Sequence, residues 1–240
     1  MKNKYSVITL DGPAGSGKSS LAKLLSEEIG FFQVDSGALY RSYTYIALNF
    51  SGFTFEKLAS NKISLKDILK DQFFWAFVEE HPLKIEFKEG KQVINWQGKD
   101  IDEQIRTPQI TSQIKDIADN HEVRLRINQQ LQLIGKKYDI IADGRDMGTI
   151  VFPKASLKIF ITASVETRAK RRLNEFLQKD PSLTLKEVIE QIKKRDFEDE
   201  NREFGALKTA RDSIILDTTD LSLNVALSEI INLIKDKKIC

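Results

Sequence analysis

The chain has 240 residues, of which 41% are hydrophobic and 30% charged, with a formal net charge of +2. This composition is typical of a soluble globular protein with a sizeable core, and the near balance of charge argues against a general binder of polyanions. The single cysteine, Cys240, excludes a disulfide within the chain and favours a reducing compartment. The N-terminal apolar stretch is too short for a signal peptide or a membrane span, so we expect a cytoplasmic protein with no membrane or nucleic-acid partner.

Short apolar runs alternate with helical patterns along most of the chain. Strands are predicted at "YSVITL" (5–10), "FFQV" (31–34), "DIIAD" (139–143), "LKIFIT" (157–162) and "DSIILD" (212–217). Helices are predicted at Ser19–Ile29, Ala38–Asn49, Thr107–Lys137, Val165–Gln178 and Leu221–Lys235. The alternation predicts an α/β fold with a parallel five-stranded sheet flanked by helices, and ligands in such sheets bind beyond the carboxyl ends of the strands.

Two regions depart from this alternation. In about residues 61–103, "KEGK" joins two half-alternating runs, which predicts an antiparallel β insert. About residues 179–211 are dense in charge and predict a helical excursion. No linker separates independent domains, so residues 1–240 are expected to form one domain with a core at 1–60, 104–178 and 212–240.

A phosphate-binding loop follows the first predicted strand. The sequence "GPAGSGKS", from Gly12 to Ser19, satisfies G-x-x-x-x-G-K-[ST] and leads into a predicted helix. In such a loop, backbone amides and the helix N-terminus surround phosphate oxygens, the lysine reaches the β- and γ-phosphates, and the hydroxyl ligates Mg²⁺. These roles fall to Lys18 and Ser19 and predict the binding of a nucleoside triphosphate.

Other motifs narrow the class of phosphate chemistry. A guanine-nucleotide switch usually carries Asn-Lys-x-Asp, but neither Asn-Lys pair of this chain has an aspartate two residues after its lysine. A motor ATPase usually has an apolar run that ends in two acidic residues, whereas "DIIADG" ends in one. A kinase for a phosphorylated acceptor needs several arginines near loops that can close and exclude water. Arg41, Arg145, Arg195 and Arg202 lie in such places.

These segments resemble the bacterial cytidylate kinases of the nucleoside-monophosphate kinase family over nearly the whole chain. The resemblance depends on "ITLDGPAGSGKSS", "DSGALYR" (35–41), "IRT" (105–107), "IADGRDMGTIVFP" (141–153), "RDFEDENR" (195–202) and "LDTTDLS" (216–222). It implies a P-loop kinase that transfers the γ-phosphate of ATP to CMP or dCMP with Mg²⁺, commonly as a monomer. The two departing regions then correspond to an acceptor-binding insert and a helical lid.

The resemblance also implies roles for individual residues. ATP is bound by the loop residues Gly12, Pro13, Ala14, Gly15, Ser16, Gly17, Lys18, Ser19 and Ser20, and the metal by Ser19 and, through water, Asp143. CMP is bound by Ser36, Arg41, Arg124, Arg145, Asp146, Arg195, Asp199 and Arg202. Lys18, Arg195 and Arg202 act in catalysis.

Three points stay open in the sequence. Arg124 matches the base-reading arginine by spacing, with Arg126 two residues away. The family usually has a serine nine residues earlier, where this chain has Lys115, with Ser112 one helical turn before it. The basic run "RAKRR" (168–172) suits either an ATP-side helix face or a solvated surface. The alternatives to a cytidylate kinase are a kinase for UMP, AMP or shikimate, and a nucleotide-binding regulator without acceptor chemistry.

Overall fold

The computed structural model describes residues 5–50, 64–88, 90–176 and 183–239. The described strands are β1 (Val7–Asp11), β2 (Phe32–Asp35), β3 (Lys84–Lys88), β4 (Lys91–Trp96), β5 (Lys99–Asp100), β6 (Ile140–Gly144), β7 (Leu157–Thr162) and β8 (Ile214–Asp217). The described helices are α1 (Lys18–Ile29), α2 (Ser36–Asn49), α3 (Leu65–Ile68), α4 (Gln72–Glu80), α5 (Pro108–Ala118), α6 (His121–Gly135), α7 (Val165–Phe176), α8 (Leu185–Glu200) and α9 (Leu223–Asp236). Short 3₁₀ and π turns occupy Gln104–Arg106 and Met147–Val151.

Contacts within the chain divide it into two compact units. One comprises residues 1–34 and 132–240, and the other comprises residues 35–131. None of the helices in the described ranges is long and apolar enough to cross a membrane. The first residues of the predicted insert (61–63) and of the predicted lid (179–182) lie outside the described residues.

The first unit is built on a five-stranded sheet in the order β2-β6-β1-β7-β8. β1 pairs in parallel with both β6 and β7, and β7 pairs in parallel with β8. All five residues of β1 are buried, as expected for a central strand covered on both faces. The five predicted strands are therefore confirmed, each within two residues of its predicted ends.

Helix packing follows from the apolar pattern of the helices beside this sheet. Leu21, Ala22 and Leu25 form the buried face of α1, which packs with the sheet and with α9 into one core. This core holds β1 and α1 in place at the two ends of the phosphate loop, since α1 begins at the loop's lysine, Lys18. It also contains residues Ile8, Leu10, Ile141, Leu157, Ile159, Ile161, Leu216, Ala226, Ile230 and Ile234.

The second unit contains the antiparallel sheet predicted from "KEGK". Its strand order is β3-β4-β5, with Lys88 opposite Lys91 at the end of the hairpin. Gly90 has a φ of 78°, a left-handed conformation that suits glycine in a tight turn. The predicted antiparallel insert is confirmed.

The single helix predicted over Thr107–Lys137 is wrong. The structure has two helices there, α5 and α6, separated by Asp119 and Asn120. The Asn120 side-chain oxygen accepts a hydrogen bond from the backbone N–H of Val123 at 3.0 Å. A short amide side chain that satisfies a free N–H at a helix start competes with continuation of the preceding helix. The predicted lid helix is present as α8.

Candidate active site

The glycines of the phosphate loop occupy positions where a side chain would not fit. A Cβ added to Gly12 would lie 2.0 Å from the carbonyl oxygen of Ile161 on β7. Gly17, with a φ of 90°, is the N-cap of α1. Gly15, with a φ of 76°, packs against the backbone of Arg168, 3.1 Å from an added Cβ. The loop therefore packs between β7 and α7, and its glycines have the positive φ angles that an anion-binding loop requires.

Two arginines of α7 donate hydrogen bonds to carbonyl oxygens of the loop. Arg168 Nη1 donates to the carbonyl oxygen of Ala14 at 3.2 Å, and Arg171 Nη1 donates to that of Ser16 at 3.4 Å. Arg171 also donates to the hydroxyl and carbonyl oxygens of the buried Thr218. The geometry thus favours the ATP-side alternative for "RAKRR" at these two positions. The Ser16 hydroxyl is buried without a hydrogen-bond partner in the described ranges, and a phosphate oxygen would satisfy it.

Lys18 is the first residue of α1 and is only 8% exposed. Its Nζ donates to the carbonyl oxygen of Pro13 at 3.3 Å. Burial, followed by the positive charge of Arg145 and then of Arg195, lowers the pKa of Lys18 to about 7, against a smaller opposing effect of Asp143 and Asp199. Lys18 therefore lies beside the positive charges of Arg145 and Arg195, an arrangement that suits the binding of a polyanion.

Ser19 and Asp143 form the oxygen pair that a magnesium ion would need. The Ser19 hydroxyl donates to Asp143 Oδ2 at 2.6 Å, across the ends of α1 and β6. Mg²⁺ prefers oxygen ligands and is usually held by one or two protein oxygens together with substrate phosphates. The chemistry of this donor pair fits that requirement.

The turn after β6 is fixed by a buried carboxylate that the sequence analysis did not single out. Asp11, the last residue of β1, accepts hydrogen bonds from the backbone N–H groups of Met147 at 2.8 Å and Gly148 at 2.7 Å. Burial raises the pKa of Asp11 to about 6, against the lowering effect of those two bonds. The contact holds in place the turn that carries Arg145 and Asp146.

The lid helix brings a second buried carboxylate to the same unit. Asp199 of α8 accepts from Arg145 Nε at 2.7 Å and from Arg202 Nη2 at 2.8 Å. Burial alone would raise the pKa of Asp199, but Arg145, Arg202 and Arg195 outweigh it and hold that pKa below its usual value. The three arginines assigned to the transferring phosphate and its acceptor are therefore grouped around one carboxylate.

In the second unit, Asp35 holds two arginines at the start of α2. Arg41 Nη2 lies 2.8 Å from Asp35 Oδ2, and Arg106 Nη1 lies 3.5 Å from the same oxygen. Burial would raise the pKa of Asp35, but Arg41 and then Arg106 outweigh it and lower that pKa. An added Cβ on Gly37 would lie 3.2 Å from Arg41 Nη1, so the glycine gives the guanidinium room. The buried Ser36 is the next residue after Asp35.

The structure distinguishes the two arginines of "EVRLR". Arg124 is 4% exposed, stacks over the ring of Tyr40 at 5.3 Å and donates to the carbonyl oxygen of Ala118 at 3.0 Å. Arg126 instead pairs with two exposed glutamates and lies 4.9 Å from the ring of Trp75. These contacts favour Arg124 as the base-reading residue.

The position with lysine in place of the usual serine lies on α5. Lys115 is exposed, and so is Ser112 one turn earlier. The Ser112 hydroxyl donates to the carbonyl oxygen of Gln109 in its own helix at 2.8 Å.

The structure therefore assembles most of the predicted residues as two groups. The first unit groups the residues Lys18, Ser19, Asp143, Arg145, Arg195, Asp199 and Arg202. The second unit contains Ser36, Arg41 and Arg124, while Asp146 belongs to the first. Arg106 and Thr218 were missed, although both lie within "IRT" and "LDTTDLS". What distinguishes these two residues is an ion pair or the burial of a polar side chain, and neither can be recognised in the sequence.

Comparisons with known proteins identify the family of this chain. A family model described as "Cytidylate kinase" matches residues 8–236. A protein named cytidylate kinase from Caldicellulosiruptor bescii is 38% identical over 94% of both chains, and one from Clostridium botulinum strain Okra is 36% identical over 95% of this chain and 97% of its own. A solved structure of an uncharacterized protein from Eubacterium ventriosum has the same fold, with a TM-score of 0.52 at 13% identity over 96% of this chain and 98% of its own. The chain belongs to the cytidylate kinase family.

Proposed function

We infer that this protein transfers the γ-phosphate of ATP to CMP or dCMP and releases ADP with CDP or dCDP. The observation that carries the inference is the grouping of Lys18 with Arg145 and Arg195, whose positive charges add to the effect of burial in lowering the lysine pKa to about 7. A binding protein for one triphosphate has no need for arginines from the β6 turn and the lid beside its loop lysine. A kinase does, because two phosphate groups must be neutralised together.

On the donor side, the loop from Gly12 to Ser20 would bind ATP. Phosphate oxygens would accept from the loop amides and from the Ser16 hydroxyl, which lacks a partner among the described residues. Lys18 would regain its full charge against the β- and γ-phosphates and stabilise the charge that develops on the leaving oxygen. Arg168 and Arg171 support the loop from behind by holding its carbonyls.

The metal would bind beside the loop. Ser19 would ligate Mg²⁺ directly and Asp143 through water, since the two side chains already share a 2.6 Å hydrogen bond. The ion, when bound, would neutralise phosphate charge and orient the triphosphate.

On the acceptor side, arginines would bind the monophosphate. Arg41 lies in the second unit with Arg106 beside it, and both are held by Asp35. Bidentate guanidinium contacts suit a phosphate dianion. Because the acceptor is itself a phosphate that is largely ionised at neutral pH, no strong general base is required.

Recognition of cytosine would fall to Arg124 and Asp146. Cytosine offers a ring nitrogen and a carbonyl as acceptors beside a donor amine, so an arginine can serve the acceptors and a carboxylate can accept from the amine. Uracil would present a carbonyl oxygen to the same carboxylate, which leaves polar groups unpaired and is disfavoured. Lysine has donors only, so Lys115 would add nothing that reads the amine.

The lid, at about residues 179–211, would close over the transferring phosphate with Arg195 and Arg202. Asp199 would serve the acceptor ribose and hold the two lid arginines in place. The insert, at about residues 61–103, would hold the acceptor. All of these residues belong to one chain, and we propose that the protein acts as a monomer.

A coupled assay of ADP formation with CMP, dCMP, UMP and AMP tests the proposal. We expect turnover of CMP and dCMP, slower turnover of UMP, and a loss of several orders of magnitude in Lys18→Ala with the fold retained by circular dichroism. Equal rates with AMP and CMP would contradict the acceptor assignment. ADP formation with none of the four acceptors would overturn the kinase inference itself.

A further inference from the structure

Arg168 is a buried guanidinium that connects three elements of the first unit. It is 4% exposed, and its Nε donates to the carbonyl oxygen of Ala163 at 2.9 Å, at the end of β7. Its Nη1 donates to the carbonyl oxygen of Ala14 in the phosphate loop at 3.2 Å. Its Nη2 pairs with Asp196 Oδ2 on the lid helix α8 at 2.7 Å. The phosphate loop and the lid helix therefore share one cation.

The lid end of this connection lies among the residues assigned to the reaction. Asp196 follows Arg195 directly and lies one turn before Asp199 in α8. Asp199 is bound separately to Arg145 at 2.7 Å. The helix is thus attached at consecutive turns, once to the turn after β6 and once to the arginine that supports the phosphate loop.

The ion pair is not what packs the two helices together. α7 and α8 meet through an apolar cluster formed by Ala169, Val188 and Ile192. Buried ion pairs add little net stability compared with apolar contacts, because desolvation offsets their attraction. The pair instead constrains the orientation of the two helices. A planar guanidinium that already donates to two carbonyl oxygens can donate to a carboxylate on one side only.

We propose that Arg168 and Asp196 are positioning residues that couple occupation of the phosphate loop to the placement of the lid helix. The inference rests on the kinase reaction proposed above. Nucleotide binding stabilises the loop conformation in which the Ala14 carbonyl is turned towards Arg168. That conformation keeps the guanidinium paired with Asp196, so a bound donor stabilises the placement of the helix that carries Arg195. Because coupling between two sites is reciprocal, the ion pair also tightens ATP binding.

The matched variants are Asp196→Asn and Glu190→Gln. Asparagine keeps the shape and one acceptor oxygen at position 196, while it removes the charge and replaces the other oxygen by an amide donor. Glu190 lies on the same helix in an exposed pair with Lys193 at 3.4 Å, so its amide variant makes the same chemical change away from Arg168. We expect Asp196→Asn to lower kcat about tenfold and to weaken ATP binding about fivefold, with Glu190→Gln equal to the parent protein.

Hydrogen exchange separates coupling from a purely structural role. We expect the non-hydrolysable analogue adenylyl imidodiphosphate to slow exchange in α8 of the parent protein and of Glu190→Gln, but not in Asp196→Asn. This measurement needs no turnover, so it remains decisive even if the protein fails to phosphorylate CMP. Equal protection of α8 by the analogue in parent and Asp196→Asn would overturn the proposal, and so would an absence of protection in the parent.

A second variant covers the case in which Asp196→Asn does not fold. Arg168→Lys keeps the charge but cannot bind all three partners, so it should reproduce the loss of analogue-dependent protection. In a double-mutant cycle, Arg168→Lys with Asp196→Asn should be no worse than either change alone. Additive losses in kcat would contradict a shared contact.

Discussion

The lowered pKa of Lys18 gives ATP affinity a pH dependence that can be worked out in advance. The pKa is about 7 in the nucleotide-free protein, against 10.5 for an ordinary lysine, with burial as the main cause and Arg145 and Arg195 adding to it. Triphosphate oxygens beside the ammonium would raise the pKa again. If binding requires the charged form, affinity falls tenfold for each pH unit above about 7, and between about pH 7.5 and 9 it falls about twentyfold.

The same shift makes nucleotide binding take up a proton. At about pH 8 nearly all free Lys18 is neutral, so each binding event should take up about 0.9 proton. Isothermal titration calorimetry in HEPES and in Tris reports this number, because the buffers differ in ionisation enthalpy. The Lys18→Met variant should lose the uptake and the steep pH dependence together.

Folding stability should change with pH in the opposite sense. Between about pH 7 and 10.5 the unfolded chain keeps a lysine proton that the folded chain has released, so this group makes unfolding less favourable as pH rises. Affinity therefore falls over a pH range in which the titration of Lys18 raises folding stability. A binding enthalpy that is identical in both buffers, together with an ATP dissociation constant that is flat with pH, would refute the reasoning.

Four further substitutions, one of them with a control, test separate positions. Gly12→Ala should lower the free energy of unfolding by about 4 kcal/mol in urea titration, while Gly30→Ala, with nothing within 4 Å of its Cβ, should cost about 1–2 kcal/mol. Similar losses at both glycines would contradict the packing of the loop. Asp35→Asn should raise the KM for CMP about tenfold and leave that for ATP unchanged, and equal changes in both would refute the acceptor assignment. Asp146→Ala should reduce kcat/KM for CMP more than it reduces ATP affinity. Equal losses in both would indicate that the role of Asp146 is structural. Lys115→Ser should increase the ratio of CMP to UMP turnover, and an unchanged ratio would exclude that position from base reading.

Much of the fold follows from local pattern. The five apolar runs become the five strands of one sheet, in which β1 and β6 are buried along their whole length. "KEGK" becomes a hairpin because its glycine accepts a left-handed conformation. The prediction of one helix over Thr107–Lys137 was wrong because the helical pattern of apolar residues continues through Asn120. The side chain of Asn120 instead caps the start of a second helix. Hydrophobic period carries no information about such a local hydrogen bond.

The part of the candidate site that local pattern predicts lies where a motif and a strand end coincide. Lys18, Ser19 and Asp143 follow from a loop and a strand end that meet at one sheet edge, and the 2.6 Å contact between Ser19 and Asp143 agrees with this. The roles of Asp11 and Arg168 were not predictable, because each depends on a partner more than 100 residues away, at positions 147 and 14. A buried ion pair leaves no periodic signature in a sequence.

Following the labelled γ-phosphate of ATP tests the central claim most directly. With CMP present, the account predicts that the label moves to the β-position of CDP, with one ADP formed for each CDP, and that Lys18→Ala abolishes the transfer. Release of the label as inorganic phosphate without CDP, or its absence from any cytidine product, would contradict the account.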